Sequence, residues 1–132
     1  MKRLFLFFIF IFLSCSDIQP CPEIKYNPIN KVTQLDGDNY TGRCAVYNNG
    51  SRVSIQQYVN GVDYGVWLFY HSNGKIETKG RFRDGKRVGK WRYYYESGKI
   101  KQVSSYSKIG ERSGKWIYYN EKGEKTNTVI YQ

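Results

Sequence analysis

The chain has 132 residues, with 21 lysines and arginines against 11 aspartates and glutamates, so its formal net charge is +10. This length suits one domain of ordinary size. An aromatic content of 17%, with 13 tyrosines, is too high for a disordered tail. One histidine and three cysteines leave little material for a metal centre or a catalytic triad.

Residues 1–14 are predicted to be a lipoprotein signal peptide. Lys2 and Arg3 form a basic start, and residues 4–13 are a run of ten apolar residues. Ten helical residues span roughly 15 Å, about half of a bilayer's hydrocarbon core, so the run is too short for a transmembrane anchor. Ser14 and Cys15 at its end resemble the lipobox of bacterial lipoproteins.

The lipobox resemblance implies that Cys15 receives a diacylglycerol and becomes the first mature residue. The protein is then exported and held by lipid at the bacterial cell envelope, on the outer membrane if the cell is Gram-negative. The alternative is an ordinary signal peptide that happens to be followed by Cys15. With Cys15 lipidated, Cys21 and Cys44 remain as an even pair in an oxidising compartment, which permits a disulfide. Two unpaired thiols are the alternative.

Residues 15–39 are predicted to be a spacer between the lipid and the folded domain. They contain all three prolines, Pro20, Pro22 and Pro28, and show no apolar periodicity. Because proline cannot donate a hydrogen bond to a β-ladder, an extended spacer is expected here.

Residues 40–132 form an internal repeat of about four units. Each unit starts at a glycine that we call its opening glycine, and these glycines are 23, 24 and 25 residues apart. A tryptophan lies two residues later in three units, while Cys44 takes that place in the first. A further aromatic lies eight residues after a second glycine. The opening glycines, tryptophans and further aromatics are Gly42, Gly65, Gly89 and Gly114; Trp67, Trp91 and Trp116; and Tyr58, Phe82, Tyr106 and Tyr131.

Each unit is predicted to contain two short strands and two turns. Asn49-Gly50 and Asn73-Gly74 favour two-residue hairpins of type I′, in which both central residues have positive φ. Ser97-Gly98 and Lys122-Gly123 hold the same place in the later units with a weaker signal. Asn60-Gly61 and Asp84-Gly85 mark the return turns. Alternation with a period of two places the tryptophans on one face, so stacked strands would form aromatic ladders. The fold class is therefore all-β.

The repeat resembles the bacterial MORN-variant repeat. The residues that carry the resemblance are 89–100, with the sequence GKWRYYYESGKI, and related segments recur from Gly65 and Gly114. The resemblance covers roughly residues 40–132 and implies one elongated antiparallel sheet of consecutive hairpins. Many bacterial members of this family are antitoxin-like proteins of the YwqK type.

No residue pattern predicts catalysis, a cofactor or a bound metal. His71 stands alone beside a hairpin and is expected to be a solvated turn residue, since no second histidine can share a metal with it. Asp84, Glu96 and Glu121 fall in separate turns, 12 and 25 residues apart along the chain, and are not expected to form a carboxylate pair.

The basic residues concentrate in one segment. Residues 75–101 contain ten basic and three acidic residues. Such a segment favours an anionic partner, which could be lipid headgroups, an acidic envelope polymer or an acidic protein. The alternative is a solvated strand face, because lysines also protect exposed sheet edges. The candidate surface consists of Arg81, Arg83, Lys86, Arg87, Lys90 and Arg92.

The sequence thus predicts an exported, membrane-anchored lipoprotein that acts as a non-catalytic binding or scaffolding module at the cell envelope. Nucleic acid is a poor partner for a protein outside the cytoplasm. The rival hypothesis is an antitoxin or immunity protein that neutralises one toxin. The sequence leaves open the identity of the partner, the membrane and leaflet, and the oligomeric state.

Overall fold

The computed structural model of the protein describes residues 18–132, and this part of the chain contains strands and no helix. The all-β prediction is confirmed. The predicted signal peptide, residues 1–14, and Cys15 lie outside the described residues, so the lipid anchor stays a prediction.

The strands form a small sheet and a large antiparallel sheet. The small sheet has the order β1-β2-β3, and the large one has the order β12-β11-β10-β9-β8-β7-β5-β4, with β6 paired to β5. The large sheet is a succession of hairpins, as predicted. The strands are β1 (Lys25–Asn27), β2 (Val32–Leu35), β3 (Asp38–Asn39), β4 (Gly42–Asn48), β5 (Ser51–Val59), β6 (Val62–Asp63), β7 (Gly65–Tyr70), β8 (Ile76–Arg83), β9 (Lys86–Tyr94), β10 (Ile100–Tyr106), β11 (Gly114–Tyr119) and β12 (Lys125–Tyr131).

The spacer prediction differs from the structure over residues 25–39, which form the small sheet. This sheet is held to the first return turn by main-chain hydrogen bonds. Thr33 N–H donates to the Gly61 carbonyl at 2.8 Å, and Gly61 N–H donates to the Tyr40 carbonyl at 2.7 Å. The ladder partners within the small sheet are local, β1 with β2 and β2 with β3, whereas the hydrogen bonds to Gly61 that hold it to the large sheet come from a distant part of the chain.

The N-terminal segment also covers the outer edge of β4. Pro20 pairs with Ala45 in parallel, and Cys21 N–H donates to the Ala45 carbonyl at 2.8 Å. Cys21 and Cys44 are joined by a disulfide, which was one of the two alternatives that the sequence left open. An edge strand with unpaired main-chain groups can recruit other strands, and here the chain itself occupies that edge.

Three of the six predicted turns have positive φ at both central residues, and at Asn73-Gly74, Ser97-Gly98 and Lys122-Gly123 only the glycine has it. Asn49-Gly50, Asn60-Gly61 and Asp84-Gly85 all have positive φ at both residues, for example 51° and 77° at Asn60 and Gly61. The type I′ prediction for Asn73-Gly74 is wrong.

At this fourth turn only Gly74 has positive φ, and the loop is closed by a hydrogen bond from His71 N–H to the Lys75 carbonyl. The Asn73 side chain accepts from Lys75 N–H at 3.0 Å, which favours a longer loop over a two-residue turn.

Candidate functional site: two faces of the repeat sheet

The register of the large sheet assigns each strand residue to one of two faces, because directly paired residues of neighbouring strands lie on the same face. We call the face that bears the three tryptophans the aromatic face and the opposite one the basic face.

On the aromatic face, one continuous row of rings crosses the repeat units. Neighbouring rings in this row have centroids 4.9 to 6.4 Å apart, mostly in edge-to-face or tilted contact. The tryptophans alternate with the further aromatics of the repeat, and the predicted ladder is confirmed. Its members in order are Tyr40, Tyr58, Trp67, Phe82, Trp91, Tyr106, Trp116 and Tyr131.

Trp91 is the most buried member of this ladder, with 0% exposure. Its ring lies against Gly80 so closely that a Cβ at position 80 would overlap ring carbons. The Arg87 guanidinium covers it, with Cζ 4.5 Å from the ring centroid. Arg112 lies over Trp116 in the same way, at 5.0 Å. The ladder is thus a thin core that glycine and arginine enclose from opposite sides.

The indole N–H groups link two of the three tryptophans to the neighbouring strand. Trp67 Nε1 donates to the Gln57 carbonyl at 3.0 Å, and Trp116 Nε1 donates to the Ser105 carbonyl at 2.9 Å. Trp91 Nε1 is buried without a hydrogen-bond partner among residues 18–132. Packing therefore holds the central tryptophan, while its two neighbours are also fixed by a polar bond.

A second row on the aromatic face alternates ring and non-ring residues. Its rings are Phe69, Tyr93 and Tyr118, and all three are partly exposed. The Tyr93 hydroxyl accepts from Arg87 Nη1 at 3.3 Å, and burial raises the pKa of Tyr93. The directly paired residues of the row are Val46, Ser54, Phe69, Thr78, Tyr93, Gln102, Tyr118 and Asn127.

The basic face has a row of apolar residues with two cations at its centre. Lys79 and Arg92 are directly paired, and Leu68 and Val103 flank them. No carboxylate occurs in the row. Its directly paired residues are Ala45, Ile55, Leu68, Lys79, Arg92, Val103, Ile117 and Thr128.

The predicted anionic-partner surface is divided between the two faces. Arg87 pairs with Phe82 and therefore lies on the aromatic face. The other five residues lie on the basic face, by their pairing or by alternation along β8 and β9. These five are Arg81, Arg83, Lys86, Lys90 and Arg92. Alternation within β9 relative to Trp91 was the sequence signal that would have separated Arg87 from them.

An open groove of about 440 Å³ crosses the basic face near β7 and β8. The charged residues that line it are Arg43, Lys79 and Arg81, and its apolar wall includes Val66 and Leu68. No carboxylate lines the groove. The candidate surface predicted from the sequence did not include Arg43 and Lys79. Lys79 lies within the basic segment, whereas Arg43 lies far from it in the sequence and is brought to the groove by the hairpin of β4 and β5.

His71 is a structural clip between units, contrary to its predicted role as a solvated turn residue. Its ring Nε2 lies 2.9 Å from the Tyr94 carbonyl oxygen, one unit further along the chain. Tyr95 Oη, at the equivalent position of the next unit, donates to the Tyr119 carbonyl at 2.7 Å. Within residues 18–132, no group of three or more histidine, cysteine, aspartate or glutamate side chains could hold a metal ion.

Cys44 completes the first unit in place of a tryptophan. It lies two residues after Gly42, pairs with Gln56 and is only 1% exposed. The disulfide with Cys21 therefore occupies the end of the sheet where the regular tryptophan is missing.

Across the part of the chain that the structure describes, no helix is long and apolar enough to cross a membrane.

The two central hairpin units agree with a known repeat family. Residues 63–84 and 87–108 match the MORN repeat variant. These MORN repeats contain Trp67 and Phe82 in the first match and Trp91 and Tyr106 in the second, which are the alternating members of the ladder. The flanking units from Gly42 and Gly114 lie outside the match. Such repeats indicate a binding or scaffolding module.

No curated protein matches the chain. One solved structure, titled "Crystal structure of GtfA/B complex bound to UDP and GlcNAc", is similar at a TM-score of 0.40 and 15% identity. The similarity covers 76% of this chain and 25% of that one. The chain thus spans about a quarter of that protein's length, and the similarity carries no conclusion about function.

Proposed function

We propose that the protein is an exported, lipid-anchored, non-catalytic module whose basic face binds an anionic component of the cell envelope, with lipid headgroups as the first candidate. The predicted leader peptide and Cys15 support the anchor, and the MORN repeats support a binding module. The observation that carries the partner class is the groove lined by Arg43, Lys79 and Arg81 without a carboxylate.

The physical case rests on uncompensated charge beside apolar surface. Basic residues near an anionic membrane contribute about 1 kcal/mol each, so five residues on one face would contribute roughly 5 kcal/mol at low salt. Leu68 and Val103 flank Lys79 and Arg92, so lipid or polymer chains would meet apolar contacts between the charges. A surface of this kind gives binding that weakens as salt screens it.

The anchor is tested by replacing its acceptor. Cys15→Ala should release the protein from the membrane fraction and remove its lipid label, while Cys21→Ala should keep both. Sedimentation of Cys15→Ala with membranes, together with the absence of any acyl mass on the unchanged protein, would rule out the lipid anchor.

The basic face is tested with a chain that starts at Ser16, which lacks the lipid but keeps every described strand. We expect it to bind vesicles with anionic headgroups, not neutral ones, and to lose binding as salt rises. Lys79→Glu together with Arg92→Glu should abolish binding. Arg112→Glu reverses a single charge on the aromatic face and is the control for the effect of one charge reversal. This variant should retain most of the vesicle binding. Indifference of the unchanged chain to anionic vesicles at low salt would refute the proposal.

The antitoxin hypothesis is addressed by a pull-down from native envelopes. Recovery of an anionic envelope component supports the proposed module. Recovery of one protein that is toxic when this chain is absent would establish the rival function instead.

A further inference from the structure

The second row of the aromatic face has the spacing of a stacking surface. Phe69, Tyr93 and Tyr118 lie on β7, β9 and β11, with one strand between each pair. Neighbouring strands lie about 4.8 Å apart, so rings on every second strand are about 9–10 Å apart. This distance is close to the length of one disaccharide in an extended β-1,4-linked polymer, in which every second sugar presents the same ring face.

The residues between the three rings are not aromatic, so each ring is a separate stacking surface, which we call a platform. Thr78 lies between Phe69 and Tyr93 and is only 8% exposed, whereas both rings are partly exposed. Gln102 lies between Tyr93 and Tyr118 and donates to Ser104 Oγ at 2.6 Å, which leaves its amide oxygen available as an acceptor. The alternation of aromatic platforms with a hydrogen-bonding side chain suits sugar rings, which offer apolar faces and hydroxyl edges.

A small pocket lies beside the middle platform. It has a volume of about 150 Å³ and is lined by Thr78, Tyr93 and Gln102, with Glu77 and Lys101 also on its wall. A pocket of this size holds a sugar substituent rather than a whole sugar. It adds polar groups at the point where a chain crossing the strands would pass.

The same face carries two arginines whose contacts are rings and hydroxyls rather than carboxylates. Arg87 contacts the Trp91 ring and the Tyr93 hydroxyl, and Arg112 contacts the Trp116 ring and the Tyr131 hydroxyl. They occupy the same place in successive units and thus repeat with the platforms. Asp63 takes this place in the first unit. The arrangement therefore complements a negatively charged chain over the second and third units.

We propose that the aromatic face binds an extended β-1,4-linked glycan that carries carboxylates. The chain runs across the strands, and every second sugar stacks on Phe69, Tyr93 or Tyr118. Arg87 and Arg112 pair with its carboxylates through their free N–H groups. This site is on the opposite side of the sheet from the groove assigned to the anionic envelope component, so the two proposals stand independently.

The polymer class is tested by affinity electrophoresis, in non-ionic detergent, of the full chain carrying Lys79→Glu and Arg92→Glu, so that the basic face no longer attracts acidic polymers. We expect carboxymethylcellulose to retard the protein strongly. Hydroxyethylcellulose, which has the same backbone without charge, should retard it weakly. Polygalacturonate, which has carboxylates on an α-1,4-linked backbone, should have little effect. Equal retardation by both acidic polymers would mean simple charge attraction, and retardation by neither β-1,4-linked polymer would remove the site; either result overturns the proposal.

The residues are tested with substitutions that preserve packing. Tyr118→Leu and Phe69→Leu should each weaken binding to carboxymethylcellulose about tenfold, the scale of one aromatic contact, with circular dichroism confirming the fold. Arg112→Gln should weaken binding to carboxymethylcellulose but not to hydroxyethylcellulose. Lys79→Glu on the basic face is the control and should leave binding to the uncharged hydroxyethylcellulose unchanged while it reduces vesicle binding. Unchanged glycan binding in both folded leucine variants would overturn the proposal.

Discussion

His71 shows how one side chain can join successive hairpins without any chemistry of its own. Its Nε2 and the hydroxyl of Tyr95 bond main-chain carbonyls one unit further on, at Tyr94 and Tyr119. Two different side chains thus perform the same task in successive units. A lone histidine in a repeat protein therefore needs to be compared with its repeat equivalents before a catalytic role is considered.

Because Tyr95 makes the equivalent bond, tyrosine should be able to replace His71. We expect His71→Ala to lower the free energy of unfolding by about 1 kcal/mol, since it leaves the Tyr94 carbonyl without this partner. His71→Tyr should recover most of the loss. Urea denaturation of the three proteins measures their free energies of unfolding. Equal stability of the unchanged protein and His71→Ala would show that the contact between His71 and the Tyr94 carbonyl does not stabilise the sheet.

The ionisation of Tyr58, a member of the aromatic ladder, makes the stability of the folded protein depend on pH. It is 6% exposed, and its hydroxyl donates to Gln56 Oε1 at 2.7 Å. Burial, with a smaller effect from the Asp63 charge, raises the pKa of Tyr58 to about 12. The folded state therefore holds this proton more tightly than the unfolded chain, in which tyrosine titrates near 10.

The raised pKa of Tyr58 predicts a loss of stability in alkali. The contribution is fully present below about pH 10 and is lost as the pH rises toward 12, up to about 2–3 kcal/mol. Tyr58→Phe has no proton to lose, so its stability should fall less over the same window. The comparison is the difference between the urea midpoints of the two proteins at pH 8, 10 and 11. A constant difference would contradict the assignment.

At the scale of the strands, the ladder depends on the absence of a side chain as much as on its rings. The Trp91 ring occupies the space that a Cβ at Gly80 would need. Arg87 covers the ring, so the indole cannot move outward without losing that contact. Glycine at position 80 is thus required by the contact between β8 and β9.

Gly80→Ala should therefore destabilise the protein by about 3 kcal/mol through overpacking against Trp91. In a Trp91→Leu background the same change should cost much less, because the smaller side chain leaves room for the methyl group. A double-mutant cycle by urea denaturation measures this coupling. Equal costs of Gly80→Ala in both backgrounds would show that the ring does not limit this site.

Much of the large sheet could be predicted from the sequence because its signals are local. The glycine and tryptophan spacing identified the units, and Asn60-Gly61 and Asp84-Gly85 determine their turns through positive φ. The same rule predicted a two-residue turn at Asn73-Gly74, and this was wrong because the Asn73 side chain accepts a hydrogen bond from Lys75 N–H and stabilises a longer loop. Local rules therefore predict a turn more reliably than its type.

The parts that were not predicted depend on contacts between distant residues. Strands β1 to β3 pair with one another, but the hydrogen bond from Thr33 to Gly61 that holds them to the large sheet joins distant residues, and nothing in residues 25–39 alone indicates that partner. Arg43 joins Lys79 and Arg81 only after the hairpins have folded. The candidate surface predicted from the sequence was basic, but it omitted Arg43 and Lys79, because a continuous segment of sequence does not define one face of a sheet.

For the whole molecule, the disulfide is the main covalent restraint within the described residues. It closes a loop of 23 residues, which corresponds to about 3 kcal/mol of stabilisation. We expect Cys21→Ser with Cys44→Ser to lower stability by this amount and to make it insensitive to dithiothreitol. The unchanged protein should lose a similar amount in dithiothreitol. A reductant effect of equal size in the double variant would show that the loss has another origin.

The position of this disulfide also determines how the molecule would respond to tension. A pull on the N-terminal segment first loads the parallel contact between Pro20 and Ala45 and then passes through the Cys21–Cys44 bond directly into β4. The small sheet lies between these two cysteines in the chain, so the bond shields it from the load. Once the contact of Pro20 is lost, the force would act on the ladder of β4 and β5. Reduction would reverse this order, and the small sheet would become the first element to unravel under load.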